Sequence, residues 1–137
     1  MTVEIDAPIE RVWRALTVPS EVSQWDGVEP LDVPDDYPAP GQHARWRTRF
    51  AGVPITLHDR ITAVEDPHRF ASTIDVAFVH VEEEYRLTAS ADGGTSLVSD
   101  NDVSSGALGM GGLAARLTRA NVRTSMERLR KHCEGSP

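Results

Sequence analysis

Cysteine is nearly missing from this sequence: Cys133 is the single one in 137 residues. That excludes an internal disulfide and fits a reducing compartment, so stability must come from a packed core. Long apolar runs are also missing. Nothing approaches the ~18 residues that a membrane-spanning helix needs, and MTVEIDAPIERVW has neither the basic nor the apolar stretch of a secretory leader. The expected location is the cytoplasm. Positive charge is scarce, with 14 Lys and Arg against 21 Asp and Glu, a formal net charge of −7 and a pI near 5.1. Bulk electrostatics argue against a nucleic-acid-binding surface, although the arginine stripes could still make a local basic patch. Lysine is almost absent, Lys131 being the only one. There is no internal repeat and no low-complexity segment. The proline-rich PDDYPAPG (34–41) is too short to separate domains, so residues 1–137 are expected to form one domain. No Ser-His-Asp constellation or dinucleotide fingerprint occurs. GALGMGG (106–112) lacks the Lys-Ser/Thr of a P-loop and reads as a hinge over a cavity mouth. Nothing calls for a cofactor.

What the sequence does have is a long helical pattern at its end, Gly109 to Gly135. Arg116, Arg119, Arg123, Glu127 and Arg130 fall on one face at 100° per residue, the solvent side. Leu113 and Leu117 flank one edge of the remaining arc, and Val122, Met126, Leu129 and Cys133 the other. Between them lie Ala114, Thr118, Asn121 and Ser125. A helix lying flat on a sheet carries its largest apolar residues at that centre. Small and polar residues there predict a helix that straddles a hollow, with a void of roughly 300 Å³ or more beneath it. Small residues that merely let helix and sheet approach closely would give the same pattern. Cys133 sits on the apolar edge and reads as buried filler.

Upstream, the chain opens with a short strand (Val3 and Ile5 on one face). An amphipathic helix follows, carrying Ile9, Val12, Trp13 and Leu16 and capped by Asp6. Pro19 ends that helix and opens a second, with Val22 and Trp25 on one face, and Asp26-Gly27 turns the chain out. Leu31 and Val33 suggest a strand. From Gln42 the period is two. A hairpin at Ala51-Gly52 pairs Thr48 with Ile55, Trp46 with Leu57 and Ala44 with Asp59. One at Ala77-Phe78 pairs Ile74 with Val81, Ser72 with Glu83 and Phe70 with Tyr85. A three-residue loop, Asp92-Gly93-Gly94, sets Leu87 opposite Ser99, Tyr85 opposite Asn101 and Glu83 opposite Val103. All three turns place one apolar set on one face.

The residues IDAPIERVWRAL, Trp25, the turn ITAVEDPHRF, the hairpin YRLTASADGGTSLV and the last helix resemble the START/Bet v1-like (SRPBCC) superfamily. Within it they look most like the bacterial polyketide cyclase/dehydrase-like group. The resemblance spans essentially the whole chain. It implies an α+β helix-grip fold: a curved antiparallel sheet of about seven strands, two short helices, and a long C-terminal helix enclosing a hydrophobic cavity. The activities it implies run from carriage of lipids and other hydrophobic molecules to ring closure, and the fold does not choose among them.

The inward face is expected to be mostly apolar, with a few placed polar groups, as small-molecule sites are. The residues expected to contact a ligand are Trp46, Leu57, Ser72, Ile74, Val81, Tyr85, Ser99, Asn101, Leu117, Thr118 and Asn121. Glu83 and Asp59, facing one cavity from strands on either side of Ser72, are the candidate acid and base. Solvated or arginine-paired carboxylates are the alternative reading. Tyr85 with Asn101 would hold a carbonyl, or form an ordinary buried hydrogen bond. His80, Glu82 and Glu84 share the outward face and read as a solvated edge rather than a metal site. No lysine lies near the cavity, which excludes Schiff-base chemistry there. Three functions follow: binding of a small hydrophobic, aromatic or polyketide-like molecule; a cyclase or dehydratase using Glu83 or Asp59; or a protein-interaction module, co-chaperone-like or a toxin–antitoxin partner, if an apolar patch is exposed over a filled interior. Monomer and homodimer are both open.

Overall fold

In a computed structural model the chain runs β1 (Thr2–Ile5), α1 (Ile9–Thr17), α2 (Pro19–Trp25), β2 (Glu29–Asp32), β3 (His43–Phe50), β4 (Val53–Glu65), β5 (Arg69–Val76), β6 (Val79–Ala89), β7 (Thr95–Ser105) and α3 (Gly111–Glu134). The structure describes residues 1–50, 52–105 and 111–135, and their side chains except at 50, 105 and 111–119. The GALGMGG hinge therefore lies largely outside the described residues.

Seven antiparallel strands form one sheet in the order β1-β7-β6-β5-β4-β3-β2. β3 and β4 pair as their apolar alternation requires, Trp46 opposite Leu57 and Ala44 opposite Asp59. β5 and β6 do likewise, Ser72 opposite Glu83 and Phe70 opposite Tyr85. Ala77 takes a left-handed backbone (φ 52°) to close that two-residue turn. The β6–β7 register differs from expectation by two residues: Leu87 faces Leu97, Tyr85 faces Ser99 and Glu83 faces Asn101. The strands close at Ala89 and Thr95, so the loop is Ser90 to Gly94. Within it Ser90 N–H donates to the Gly94 carbonyl and Gly94 N–H to Asp92 Oδ1. A shift of two preserves the faces and changes only the neighbours.

β2, at one edge, is fully exposed and carries Glu29, Pro30 and Asp32, which discourage edge-to-edge pairing. α1 buries Ile9, Val12, Trp13 and Leu16 as its period predicts. Its cap is Pro8, not Asp6: the Pro8 carbonyl accepts from Arg11 and Val12 N–H, and Asp6 N–H donates instead to Glu134. α2 starts at Pro19 and is fixed to α1 by Trp25, whose indole N–H donates to the Ala15 carbonyl at 2.8 Å.

α3 contacts β1 and β7 and touches α1 and α2. Its described half docks through one edge, with Met126, Leu129 and Cys133 buried and Val122 half-buried. Asn121, expected at the centre of the covered face, is exposed. The docked edge turns Asn121 toward solvent, while Ser125 of the same row faces Asp26 at the end of α2. A polar group joins the three helices: Arg11 of α1 donates to Glu21 of α2 at 2.6 Å, and His132 Nε2 of α3 lies 3.1 Å from the same carboxylate oxygen. Burial alone would raise the Glu21 carboxyl, but hydrogen bonds to His132, Arg11 and Arg14 and the charge of Arg11 hold it below its usual range.

The apolar interior has two parts. The larger joins β1, α1, the sheet centre and the end of α3; the smaller is Val22, Val28, Ala44 and Trp46. Tyr37, from the proline-rich loop, packs against both.

Candidate functional site

Between these two parts lies a hollow of about 70 Å³, open to solvent on one side. α1 supplies Leu16, α2 and its end supply Val22, Trp25, Asp26 and Val28, and the proline-rich loop supplies Tyr37. β3 to β6 supply Trp46, Leu57, Asp59, Phe70, Ser72, Ile74, Glu83 and Tyr85. The hollow is smaller than the ~300 Å³ at which ordinary ligand pockets begin, and among the described residues it lies beneath α2 rather than α3. Rings account for the reduced volume. Tyr37 packs edge-on to Trp46 at 5.9 Å and to Phe70 at 6.3 Å, and Phe70 stacks on Tyr85 at 6.4 Å. Tyr37, Trp46, Phe70 and Tyr85 thus form one wall of the hollow.

Set into this apolar lining are three carboxyls and two phenols. Asp59, on the inner face of β4, is 7% exposed. Its Oδ2 accepts from the Tyr37 hydroxyl at 3.2 Å and from the Trp46 indole N–H at 3.3 Å. Ser72 eases its ionisation from one side, yet no hydrogen bond of good geometry reaches Oδ1, which is buried and unpartnered. Burial dominates and raises the Asp59 carboxyl above its ordinary range.

Glu83 is half-buried by exposed area but surrounded by protein, its free surface bordering the hollow. Burial first, then the charges of Asp26 and Asp59, push it up to about 8, against a hydrogen bond from Tyr85. Asp26 stands at the C-terminal end of α2 and is pushed up to about 7 by burial; a hydrogen bond from Ser125 and the charge of Arg128, both on α3, oppose that rise. Both phenols are raised above their usual range by burial first, then by neighbouring carboxylates. Near neutral pH, both carboxyls therefore hold a proton far more readily than free carboxyls do. The hollow combines a carboxylic acid able to give up a proton with phenol and indole donors.

Of the residues singled out from the sequence, Trp46, Leu57, Asp59, Ser72, Ile74, Glu83 and Tyr85 are brought together here. Others are not. Val81 is buried but does not border the hollow. Ser99, buried opposite Tyr85, accepts from Asn101 Nδ2 at 3.1 Å, and Asn101 faces Glu83 across the sheet with its own Oδ1 unpartnered. The expected Tyr85–Asn101 pair is thus replaced by Tyr85–Ser99, a consequence of the longer loop. Asn121 points away, and the side chains of Leu117 and Thr118 lie outside those described. Of the other lining residues, Leu16, Val22, Trp25 and Phe70 read from the sequence as apolar packing, and three gave no signal of facing the interior. Asp26 is disguised as half of an Asp-Gly turn, Tyr37 sits in a loop without period, and Val28 follows the turn directly. On the outer face, Glu84 pairs with Arg69 and Arg86, and His80 with Asp75.

The sequence family described as polyketide cyclase/dehydrase and lipid transport matches residues 1–134. The chain belongs to that family. No curated protein sequence matches it. Among solved structures, the family member described here is similar to DynU16, a protein of the dynemicin biosynthetic locus, at 25% identity and a TM-score of 0.73. That match covers 100% of this chain and 47% of DynU16, so the chain spans about half of the larger protein. It is similar to protein CV1439 from Chromobacterium violaceum at 17% identity and a TM-score of 0.75, covering 98% of this chain and 94% of that one. Ara h 8.0201 superposes with a TM-score of 0.80 at 12% identity, covering 99% of this chain and 96% of the other. The fold is thus the helix-grip fold of Bet v1-like proteins, with the expected seven strands and C-terminal helix. No helix among the described residues is long and apolar enough to cross a membrane.

Proposed function

We propose that this family member binds a small, largely apolar molecule in the hollow beneath α2, using its carboxyls and phenols to hold the ligand's polar groups. The observation that carries this reading is the convergence of Asp26, Asp59, Glu83, Tyr37 and Tyr85 on an otherwise apolar, partly open hollow. Polar side chains are costly to bury without partners, so a core that only needed filling would use aliphatic residues at these positions. At about 70 Å³ the hollow holds two or three waters at ~30 Å³ each. In this reading a ring enters as Tyr37, carried on a loop and packed against both apolar parts, swings outward. Ligands of aromatic or polyketide-like character suit the ring wall.

A second reading is catalysis. Glu83, held near pH 8 beside a phenol and next to an apolar wall, has the proton affinity of a general acid or base working at neutral pH. It would move a proton to or from a carbonyl-bearing substrate, with Tyr85 holding the oxygen.

Native mass spectrometry of the purified protein tests the binding reading: a retained small molecule is expected, and it should be absent from an Ile74→Trp variant whose indole fills the hollow. Equal retention by parent and variant would place the ligand elsewhere. For catalysis, Glu83→Gln should abolish turnover of the identified molecule while leaving its affinity nearly intact.

A further inference from the structure

Asp59 is the most demanding group in the hollow. It is nine-tenths buried, borders the open space, and has one oxygen held by two neutral donors at 3.2 and 3.3 Å, while the other has no well-formed hydrogen bond and only the nearby Ser72 hydroxyl to favour its charge. A buried acceptor without a donor is costly, and for a carboxylate the cost is larger. No charged neighbour in the lining relieves it. Among the described residues the lining contributes two further carboxyls, Asp26 and Glu83, and no lysine, arginine or histidine. The arginines and histidines in ion pairs with carboxylates are spent elsewhere: Arg11, Arg14 and His132 between the helices, Arg45 with Asp32, Arg69, Arg86 and His80 on the outer face, and Arg130 within α3. Among the described residues, Arg128 approaches from the edge. Arg128 of α3 is exposed, acts on Asp26, and has Nη1 3.8 Å from where a side chain on Gly27 would begin. Asp59 and Glu83, deeper in, have only neutral donors and each other among the described residues.

We propose that the ligand held in this hollow carries a protonated amine, its ammonium seated against Asp59 Oδ1 and Glu83 and its apolar part lying along the wall of Tyr37, Trp46, Phe70 and Tyr85. The inference rests on the binding reading above and names the ligand class for it. An ammonium has donors and no acceptors, which is what an unpartnered carboxylate oxygen requires. It also offsets the repulsion that opposes ionising Asp59 and Glu83 together. A neutral hydroxyl could satisfy Oδ1 but leaves that repulsion in place, and a carboxylate ligand worsens it. Aromatic faces lining the same space attract a cation through their quadrupoles. The groups facing the ammonium are Asp26 at the end of α2, Tyr37 on its loop, Asp59 on β4, and Glu83 and Tyr85 on β6, with Arg128 of α3 beyond Asp26. Because Glu83 must ionise to pair with the cation, binding releases a proton, and affinity rises with pH as Glu83 passes through its value of about 8.

Three probes with one ring and different heads test this: benzylamine, benzyl alcohol and benzoate, titrated into the full chain near neutral pH. The fluorescence of Trp25 and Trp46, which border the hollow, reports binding. The expected result is that benzylamine binds at least about tenfold more tightly than benzyl alcohol, with benzoate weakest. Asp59→Asn should lower the benzylamine-to-benzyl-alcohol preference at least about tenfold. Glu83→Gln, nearly isosteric and kept as a second variant should Asp59→Asn fail to fold by circular dichroism, should lower it too and remove the rise in affinity with pH. Benzyl alcohol or benzoate binding as tightly as benzylamine would overturn the amine assignment while leaving the hollow as a binding site. No binding by any of the three would remove both.

Discussion

Glu83 shows how one side chain carries both a structural cost and a chemical use. Its folded proton affinity lies at about 8, against 4.5 ordinarily, and that of Asp26 at about 7, against 3.8. A carboxyl whose folded value is raised contributes fully to stability below its unfolded value, and that contribution is lost as pH rises through the folded value. The ligand-free protein should therefore lose stability between roughly pH 4 and pH 8, by an amount on the order of 2 kcal/mol or more. Glu83→Gln removes the larger displacement, so its melting temperature should decline less over that range and exceed the parent's at the alkaline end. Thermal denaturation across pH reads this directly. Parallel curves for the two proteins would mean that Glu83 ionises freely in the fold. Glu21 works in the opposite sense. Its carboxyl is held low by its partners, so its contribution is present at neutral pH and is lost only in acid, below about 4.5.

At the level of elements, what could be read in advance depended on which physical rule set the feature. Tight two-residue turns and apolar alternation fix register jointly, and the β3–β4 and β5–β6 pairings follow Trp46, Leu57, Ile74 and Val81 residue for residue. The β6–β7 loop closes two residues earlier than its glycines suggest, because side-chain and main-chain bonds around Asp92 stabilise a wider loop. Alternation could not detect this, since a slip of two leaves every residue on its face. Periodicity likewise identified the apolar edge of α3 but not its roll against β1 and β7, which packing decides; hence Asn121 is exposed while Leu129 is wholly buried. Asp26 and Tyr37 escaped notice because both lie where the chain leaves regular structure, and only tertiary contact brings them to Asp59 and Glu83. The roll of α3 makes a definite demand on stability. Leu129→Ala should cost ~2–5 kcal/mol, through lost transfer energy and the cavity left behind. Chemical denaturation checks it, and an unchanged midpoint would mean that other residues dock the helix.

Across the whole molecule, the division of the interior determines where it can open. The larger apolar cluster ties β1, α1, the centre of the sheet and the end of α3 together; the smaller, Val22, Val28, Ala44 and Trp46, holds α2 against β3. The hollow lies along their seam, and Tyr37 is packed against both sides from a loop that belongs to neither helix nor strand. β2 beyond it is an exposed four-residue edge strand. A region with a small apolar cluster, an exposed edge and a loop-borne ring opens at lower free energy than the sheet centre. Opening there, by displacement of Tyr37, is also the move that enlarges a 70 Å³ hollow enough to take a ring. Backbone amides of β2, β3 and residues 33–42 should accordingly exchange with solvent through an opening a few kcal/mol less costly than the one that exposes β6 and β7. A bound ligand should slow exchange selectively in the first set, because it adds contacts across the seam and binds only when the seam recloses. Hydrogen–deuterium exchange with and without benzylamine measures both. Uniform protection across the sheet, or slowing confined to β6 and β7, would move the entrance away from Tyr37 and α2.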